Sequence, residues 1–271
     1  MNILQAVILG LVEGITEYLP VSSTGHLILA QRAMGIPASD EANAYAICIQ
    51  AGAIAAVLGL YFGRVRAMAE GLLGRNPDGR RMACNLVAAV IPAGLIGLTF
   101  EKRIEHYLFG LWPVVAAWAV GGLVILAMGG WVERSRRTGH DLDGLAWRAA
   151  VAIGCMQALA LWPGTSRSFA AILGGLTVGL RLSAAVEFSF LLGVVTLGGA
   201  TTIKALKYGA VIVAKYGVVN PALGFLVATL SAVAAVRWMV AYLNRHGLSA
   251  FGYYRLVLAA VVGALLLAGL L

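Results

Sequence analysis

The sequence predicts an all-α polytopic membrane protein, with six transmembrane helices and two re-entrant helix–loop–helix hairpins in two inverted-topology repeats. Three observations predict it. Hydrophobic residues fill 61% of 271 positions and only 12% are charged, against about 45–50% and 25% in a soluble domain. Six apolar stretches are each long enough to cross a bilayer. Two further apolar stretches are broken at corresponding places in the two halves of the chain.

The first element is one of the broken ones. Residues 3–34 are apolar but cut at 18–26 by Pro20, Ser22, Ser23, Thr24 and Gly25. Spans follow at 42–62, 83–100 and 108–132. A second broken stretch, 147–180, is cut at 162–168 by Pro163, Gly164, Thr165, Ser166 and Ser168. Spans at 183–203, 221–243 and 251–271 complete the chain. Neither half of a broken stretch spans comfortably alone. Irregular backbone at membrane depth survives only where protein encloses it or it lines a wet cavity. Both stretches therefore read as re-entrant hairpins.

The two hairpins also resemble each other. Gly10-Leu-Val-Glu13 parallels Gly154-Cys-Met-Gln157 at an offset of 144, and Pro20-Val-Ser-Ser parallels Pro163-Gly-Thr-Ser at 143, a slip of one residue. The chain divides into a single membrane domain of two repeats, about 1–135 and 145–271. Three spans per repeat is an odd number, so the second repeat enters the membrane inverted. Broken segments at matching places in inverted halves point to a central site.

Net charge is +8. The basic residues sit between apolar stretches, which fits orientation by the positive-inside rule and not a nucleic-acid partner. With the first hairpin entering from outside, the inner loops hold Arg64, Arg66, Arg75, Arg80, Arg81, Arg134, Arg136, Arg137, Arg148, Arg181, Arg237, Arg245 and Arg255. The outer side holds Arg32, Lys102, Arg103, Lys204, Lys207 and Lys215. The bias places both termini outside, with Lys204–Lys215 as the discordant cluster. No cleavable signal-peptide pattern is present, because Glu13 and Glu17 interrupt the first apolar run. Cys48, Cys84 and Cys155 lack CxxC spacing and read as packing residues.

Chemistry concentrates in the two breaks. Glu13 and Glu17 are four apart and stack on one helix face. Like charges at that spacing repel, and each costs about 3 kcal/mol to insert into an apolar span. A hard divalent cation, Mg²⁺ or Ca²⁺, would neutralise the pair. Ser22, Ser23, Thr24 and His26 follow directly. A hydroxyl and an imidazole at this spacing suit nucleophilic attack with a general base. Capping of the next helix accounts for Ser22 and Ser23 equally well, and a backbone carbonyl is the plain partner for His26. Arg167 lies in Gly164-Thr-Ser-Arg-Ser168, where its fork matches phosphate. Gly164, Thr165, Ser166 and Ser168 complete an anion cradle at a helix start. A salt bridge from Arg167 to Glu13 or Glu17 is the alternative, and both roles are compatible. Glu187 and Arg181 read as a structural pair.

The run Glu13-Gly-Ile-Thr-Glu17-Tyr-Leu-Pro-Val-Ser-Ser-Thr-Gly-His26 resembles the first signature of the bacterial undecaprenyl-diphosphatase family, also called the bacitracin-resistance (BacA/UppP) family. Ala160-Leu-Trp-Pro-Gly-Thr-Ser-Arg167-Ser resembles the second, and Glu187-Phe-Ser-Phe-Leu-Leu192 agrees as well. The resemblance covers essentially the whole chain. It implies hydrolysis of a polyprenyl diphosphate lipid, undecaprenyl diphosphate, to the monophosphate and inorganic phosphate, recycling the carrier for peptidoglycan assembly. It implies a divalent metal on Glu13 and Glu17, and a site facing the periplasmic side of the inner membrane. It assigns catalysis to Glu17, Ser23, His26 and Arg167, with Ser22 and Thr24 and the second loop contacting substrate. One departure is Phe169, where the resemblance leads one to expect glycine. A lipid-carrier transporter is the rival, since inverted repeats with broken helices are also a transporter plan. Whether the chain forms a homodimer is left open by the sequence.

Overall fold

The computed structural model describes residues 1–37, 39–108 and 110–271. Its described residues form helices joined by short turns. In chain order the helices are α1 (Ile3–Thr16), α2 (Ser23–Ala33), α3 (Asp40–Leu60), α4 (Phe62–Leu72), α5 (Pro77–Leu108) and α6 (Leu111–Ala127). They continue as α7 (Gly129–Thr138), α8 (Trp147–Gln157), α9 (Arg167–Thr177), α10 (Leu182–Tyr216), α11 (Val219–His246) and α12 (Ser249–Leu267), with a 3-10 turn, Ala158–Leu161, after α8.

By length and composition four helices are able to cross a membrane: Pro77–Phe100 within α5, and α10, α11 and α12. Two bent pairs raise the number to six if each is one span. Ala44–Leu60 turns 84° into Phe62–Leu72, and Lys102–Leu108 turns 86° into Leu111–Ala127. The outer surface has the inverted character of a protein in lipid. Leu98, Leu206 and Leu267 are at least 80% exposed, while Glu13, Glu17, Arg255 and the hydroxyls of Ser22, Ser23, Ser166, Ser168 and Ser189 lie inside.

The start of each hairpin helix follows from its sequence. Asn2 and Gln5 form a reciprocal capping box at the head of α1, both bonds at 2.9 Å. Trp147–Gln157 and Ile3–Thr16 are too short to span. They instead end inside the protein, where the apolar residues of the first break, Tyr18, Leu19 and Val21, join a core with Phe169, Phe188 and Phe190. Small residues allow the close packing this needs. A Cβ on Gly14 would lie 2.1 Å from Ser231 Oγ, so α1 lies directly against α11.

Three expectations change. Lys204, Lys207 and Lys215 belong to α10, which runs on as helix well beyond the span expected at 183–203. Glu187 pairs with Arg64 at 2.6 Å, and Arg64 also reaches Asp143 at 3.2 Å. Arg181 pairs with Asp141 instead of Glu187. Arg181 stands just before α10 with extended backbone, and helical neighbours meet at three or four residues, not six. Finally, Cys84 and Cys155 are exposed on the outer surface, so only Cys48 is partly packed.

Candidate active site

The ends of α1 and α8 and the starts of α2 and α9 bring the two breaks together. Ser22 and Ser166 are the non-glycine residues with positive φ among those described, at 74° and 75°. Each caps the following helix: Ser22 Oγ accepts from Gly25 N at 3.5 Å and Ser166 Oγ from Phe169 N at 3.3 Å. Such backbone costs about 1–3 kcal/mol and persists only where its surroundings enforce it. The two caps are 144 residues apart, the same offset as Glu13 and Gln157. The one-residue slip expected from the proline positions is therefore absent at the caps.

The breaks are tied to each other by hydroxyls. Ser168 Oγ donates to Leu19 O at 2.9 Å and Ser166 Oγ donates to the same oxygen at 3.4 Å. Those two hydroxyls also lie 2.9 Å apart, and Ser189 Oγ donates to Ser168 O at 3.3 Å. Ser166 and Ser168, expected in the anion cradle, are thus engaged in holding the first loop against the second. Gly164 is buried with φ 98°, Thr165 is half-buried and Thr24 is exposed.

Glu17 joins the two halves chemically. Its Oε1 lies 3.1 Å from Arg167 Nη2, and its Oε2 accepts from Ser23 Oγ at 2.5 Å. Both Glu17 and Ser23 are buried. Arg167 Nη1 also donates to Ser189 O at 3.0 Å, and the guanidinium lies 5.5 Å over the Tyr18 ring. Among the described residues its Nε has no partner. α10 makes room for it with Gly193, where a Cβ would sit 2.5 Å from Nη1.

His26 does not meet Ser23 in this arrangement. Its Nδ1 lies 2.7 Å from Ser22 O and its Nε2 lies 2.7 Å from Tyr254 Oη. A carbonyl only accepts, so Nδ1 carries the proton and Nε2 accepts from the phenol. The ring stacks on Tyr254 at 5.7 Å and meets Trp118 edge-on at 5.5 Å.

Glu13 is fully buried, and among the described residues no basic, amide or hydroxyl group donates to either of its oxygens. A lone buried carboxylate is worth several kcal/mol of instability. Glu13 is one turn from Glu17, and a Mg²⁺ site commonly takes one or two carboxylates with the remainder from substrate phosphate and water. The residues therefore fit a divalent cation. Among the described residues no group of three or more His, Cys, Asp or Glu exists to hold a metal unaided.

Residues outside the motifs complete the site. Tyr254 fixes His26, and Ser189 holds Arg167 through its carbonyl. Trp118 donates from Nε1 to Val21 O at 3.1 Å. Arg255, expected in an inner loop, is fully buried in α12. A charge isolated in an apolar helix, in Tyr253-Tyr-Arg-Leu256, was the signal that could have marked it. Together these groups present a serine hydroxyl on a carboxylate, an arginine within reach, and an unsatisfied acid beside them.

The chain is similar to proteins of known family. A family model described as bacitracin resistance protein BacA matches residues 6–261. Undecaprenyl-diphosphatase 2 of Rhodospirillum rubrum is 43% identical over 270 residues, covering 99% of this chain and 96% of that protein. The undecaprenyl-diphosphatase of Sorangium cellulosum is 42% identical, covering 95% and 84%. That of Methylococcus capsulatus is 42% identical, covering 96% and 93%.

Proposed function

This chain belongs to the bacitracin resistance protein BacA family, and from that premise we propose that it hydrolyses undecaprenyl diphosphate to undecaprenyl phosphate and inorganic phosphate. The observation that carries the mechanism is Glu17, hydrogen-bonded at once to Ser23 and to Arg167. The product is the lipid carrier for peptidoglycan assembly, and its recycling accounts for the family's link to bacitracin.

Phosphoryl transfer depends on positioning and on charge stabilisation. Ser23 Oγ attacks the terminal phosphorus, and its proton passes to Glu17 Oε2 along the existing hydrogen bond. The phosphorus–oxygen bond to the bridging oxygen breaks, and undecaprenyl phosphate leaves. The departing undecaprenyl phosphate carries away the proton that Glu17 took up. Glu17, ionised again, then takes a proton from the water that attacks the phosphoserine. The phosphorus–Oγ bond breaks, and Glu17 returns that proton to Ser23 Oγ as inorganic phosphate leaves. Arg167 binds the phosphate oxygens with the N–H groups it does not spend on Ser189. His26 in this reading orients the first loop through Ser22 O, and general acid–base help from its ring would require release from Tyr254. Glu13 with Glu17 would hold the divalent cation, Mg²⁺ or Ca²⁺, whose contribution is to neutralise diphosphate charge.

The membrane arrangement we favour is six spans with two re-entrant hairpins, both termini outside and the site open to the periplasmic face of the bacterial inner membrane. Three features support it: the matched caps at Ser22 and Ser166, the shortness of α1 and α8, and the arginines near the start of α4 (Arg64, Arg66) and in the last turns of α7 (Arg136, Arg137) and α11 (Arg245). Arg255 leaves the inner set because it is buried, and the bias stands without it.

The test is phosphate release from undecaprenyl diphosphate by purified protein in detergent, with and without chelator. Release that stops on chelation is expected. No release with cation present, together with lipid movement in vesicles, would replace this reading with the transporter.

A further inference from the structure

Arg255 lies outside both motifs, yet it has the most complete set of partners in the protein's interior. A guanidinium has five N–H groups, and here five main-chain carbonyls receive them. Nη1 donates to Pro20 O at 3.2 Å and Thr165 O at 2.9 Å. Nη2 donates to Gly164 O at 2.9 Å and Ala117 O at 2.8 Å, and Nε to Trp118 O at 3.5 Å. The Phe169 ring covers one face at 5.3 Å. No carboxylate is among these partners, so the side chain is not there to neutralise an acid.

The carbonyls come from three places. Pro20 lies midway between Glu17 and Ser23, Gly164 and Thr165 immediately precede the Ser166 cap and Arg167, and Ala117 and Trp118 belong to α6. One rigid fork thus grips the loop that carries the nucleophile and its base, the loop that carries the phosphate-binding arginine, and a helix that backs both. Only arginine has enough donors in fixed geometry to do this. Breaks in the helices leave carbonyls that lipid cannot satisfy, and Arg255 satisfies them from both breaks at once.

We infer that Arg255 is a positioning residue of this active site, setting the separation between the Ser23–Glu17 pair and Arg167 without touching substrate. The inference rests on the proposed hydrolysis. It also gives Phe169 a place: where the family resemblance leads one to expect glycine, this chain has a ring that packs on the positioning guanidinium.

Arg255→Met, Arg255→Lys and Gly121→Ala test it, each measured as kcat and KM per folded molecule. A Cβ on Gly121 would lie 2.2 Å from Arg255 Nη2, so Gly121→Ala displaces the fork without removing its charge. Alanine is the better helix former, so a purely helix-supporting role predicts no loss. Displacement of a catalytic group by about 1 Å can cost ~100-fold, and that fall in kcat is expected for Arg255→Met and Gly121→Ala. KM should be unchanged, with Arg255→Lys intermediate. If Arg255→Met does not fold, Arg255→Lys and Gly121→Ala decide. Wild-type kcat in folded Arg255→Lys and Gly121→Ala overturns the inference, as does a raised KM at wild-type kcat. Wild-type protein that releases no phosphate overturns the underlying hydrolase reading instead.

Discussion

Ser23 Oγ donates a 2.5 Å hydrogen bond to Glu17 Oε2, across one tight turn of the first loop. A serine alcohol needs an adjacent base to become a nucleophile, and the carboxylate is already seated on it. Glu17→Gln keeps the shape but accepts no proton. It should lower kcat about a thousandfold, within the range for loss of a general base, while gel filtration in detergent shows folded protein. Activity near wild type would remove Glu17 from the reaction.

Arg167 is held on two sides, by Glu17 Oε1 and by Ser189 O. Arg167→Lys keeps one positive charge and loses the planar fork. Loss of one well-placed donor to developing charge costs about 10²–10³ in kcat, and a fall in that range is expected in phosphate release at saturating substrate. Equal turnover by the lysine variant would mean that charge alone is needed there.

Glu13 has two buried oxygens that receive no basic, amide or hydroxyl donor among the described residues. A ligand that binds only the folded state raises its stability. Adding Mg²⁺ or Ca²⁺ to chelator-treated protein should therefore raise Tm in the wild type and leave Glu13→Gln unmoved. In chelator, Glu13→Gln should be at least as stable as wild type, since it removes an uncompensated buried acid. An equal cation-induced rise in both proteins would place the metal elsewhere.

Ser22 combines a cap with a backbone region that favours glycine. Ser22→Ala loses the side-chain acceptor and keeps the strain, so a loss of about 1 kcal/mol is expected. Ser22→Gly loses the same acceptor but relieves the strain, and should be close to wild type in thermal unfolding. The same order should hold at Ser166, whose φ matches. A Ser22→Gly variant less stable than Ser22→Ala would show that φ at this position is not a source of strain.

The parts of this site that the sequence made legible are those whose residue types violate their surroundings. Glu13, Glu17 and Arg167 stand out because charge is costly in an apolar stretch, and the two breaks stand out because proline and glycine interrupt helical patterns. What it did not make legible is pairing across the fold. Ser166 and Ser168 read as an anion cradle, yet their hydroxyls bind Leu19 O, about 150 residues away in sequence. His26 reads as the base for Ser23 by proximity in sequence, but the phenol of Tyr254, from the last helix, engages its Nε2. Arg255 reads as one more inner-loop arginine; its apolar flanks mark it as unusual, but they do not say that its partners are five carbonyls from three other segments. Those assignments depend on which helix packs beside which, and periodicity within one helix carries no information about its neighbours.

Trapping the covalent intermediate tests the central claim most directly. The protein is mixed with undecaprenyl diphosphate and divalent cation, quenched in acid within a turnover, digested and examined by mass spectrometry. The account predicts a phosphoserine at Ser23 that appears and decays at the rate of phosphate release, and none in Ser23→Ala. No phosphoserine at any time, together with a Ser23→Ala variant that hydrolyses at the wild-type rate, would contradict it.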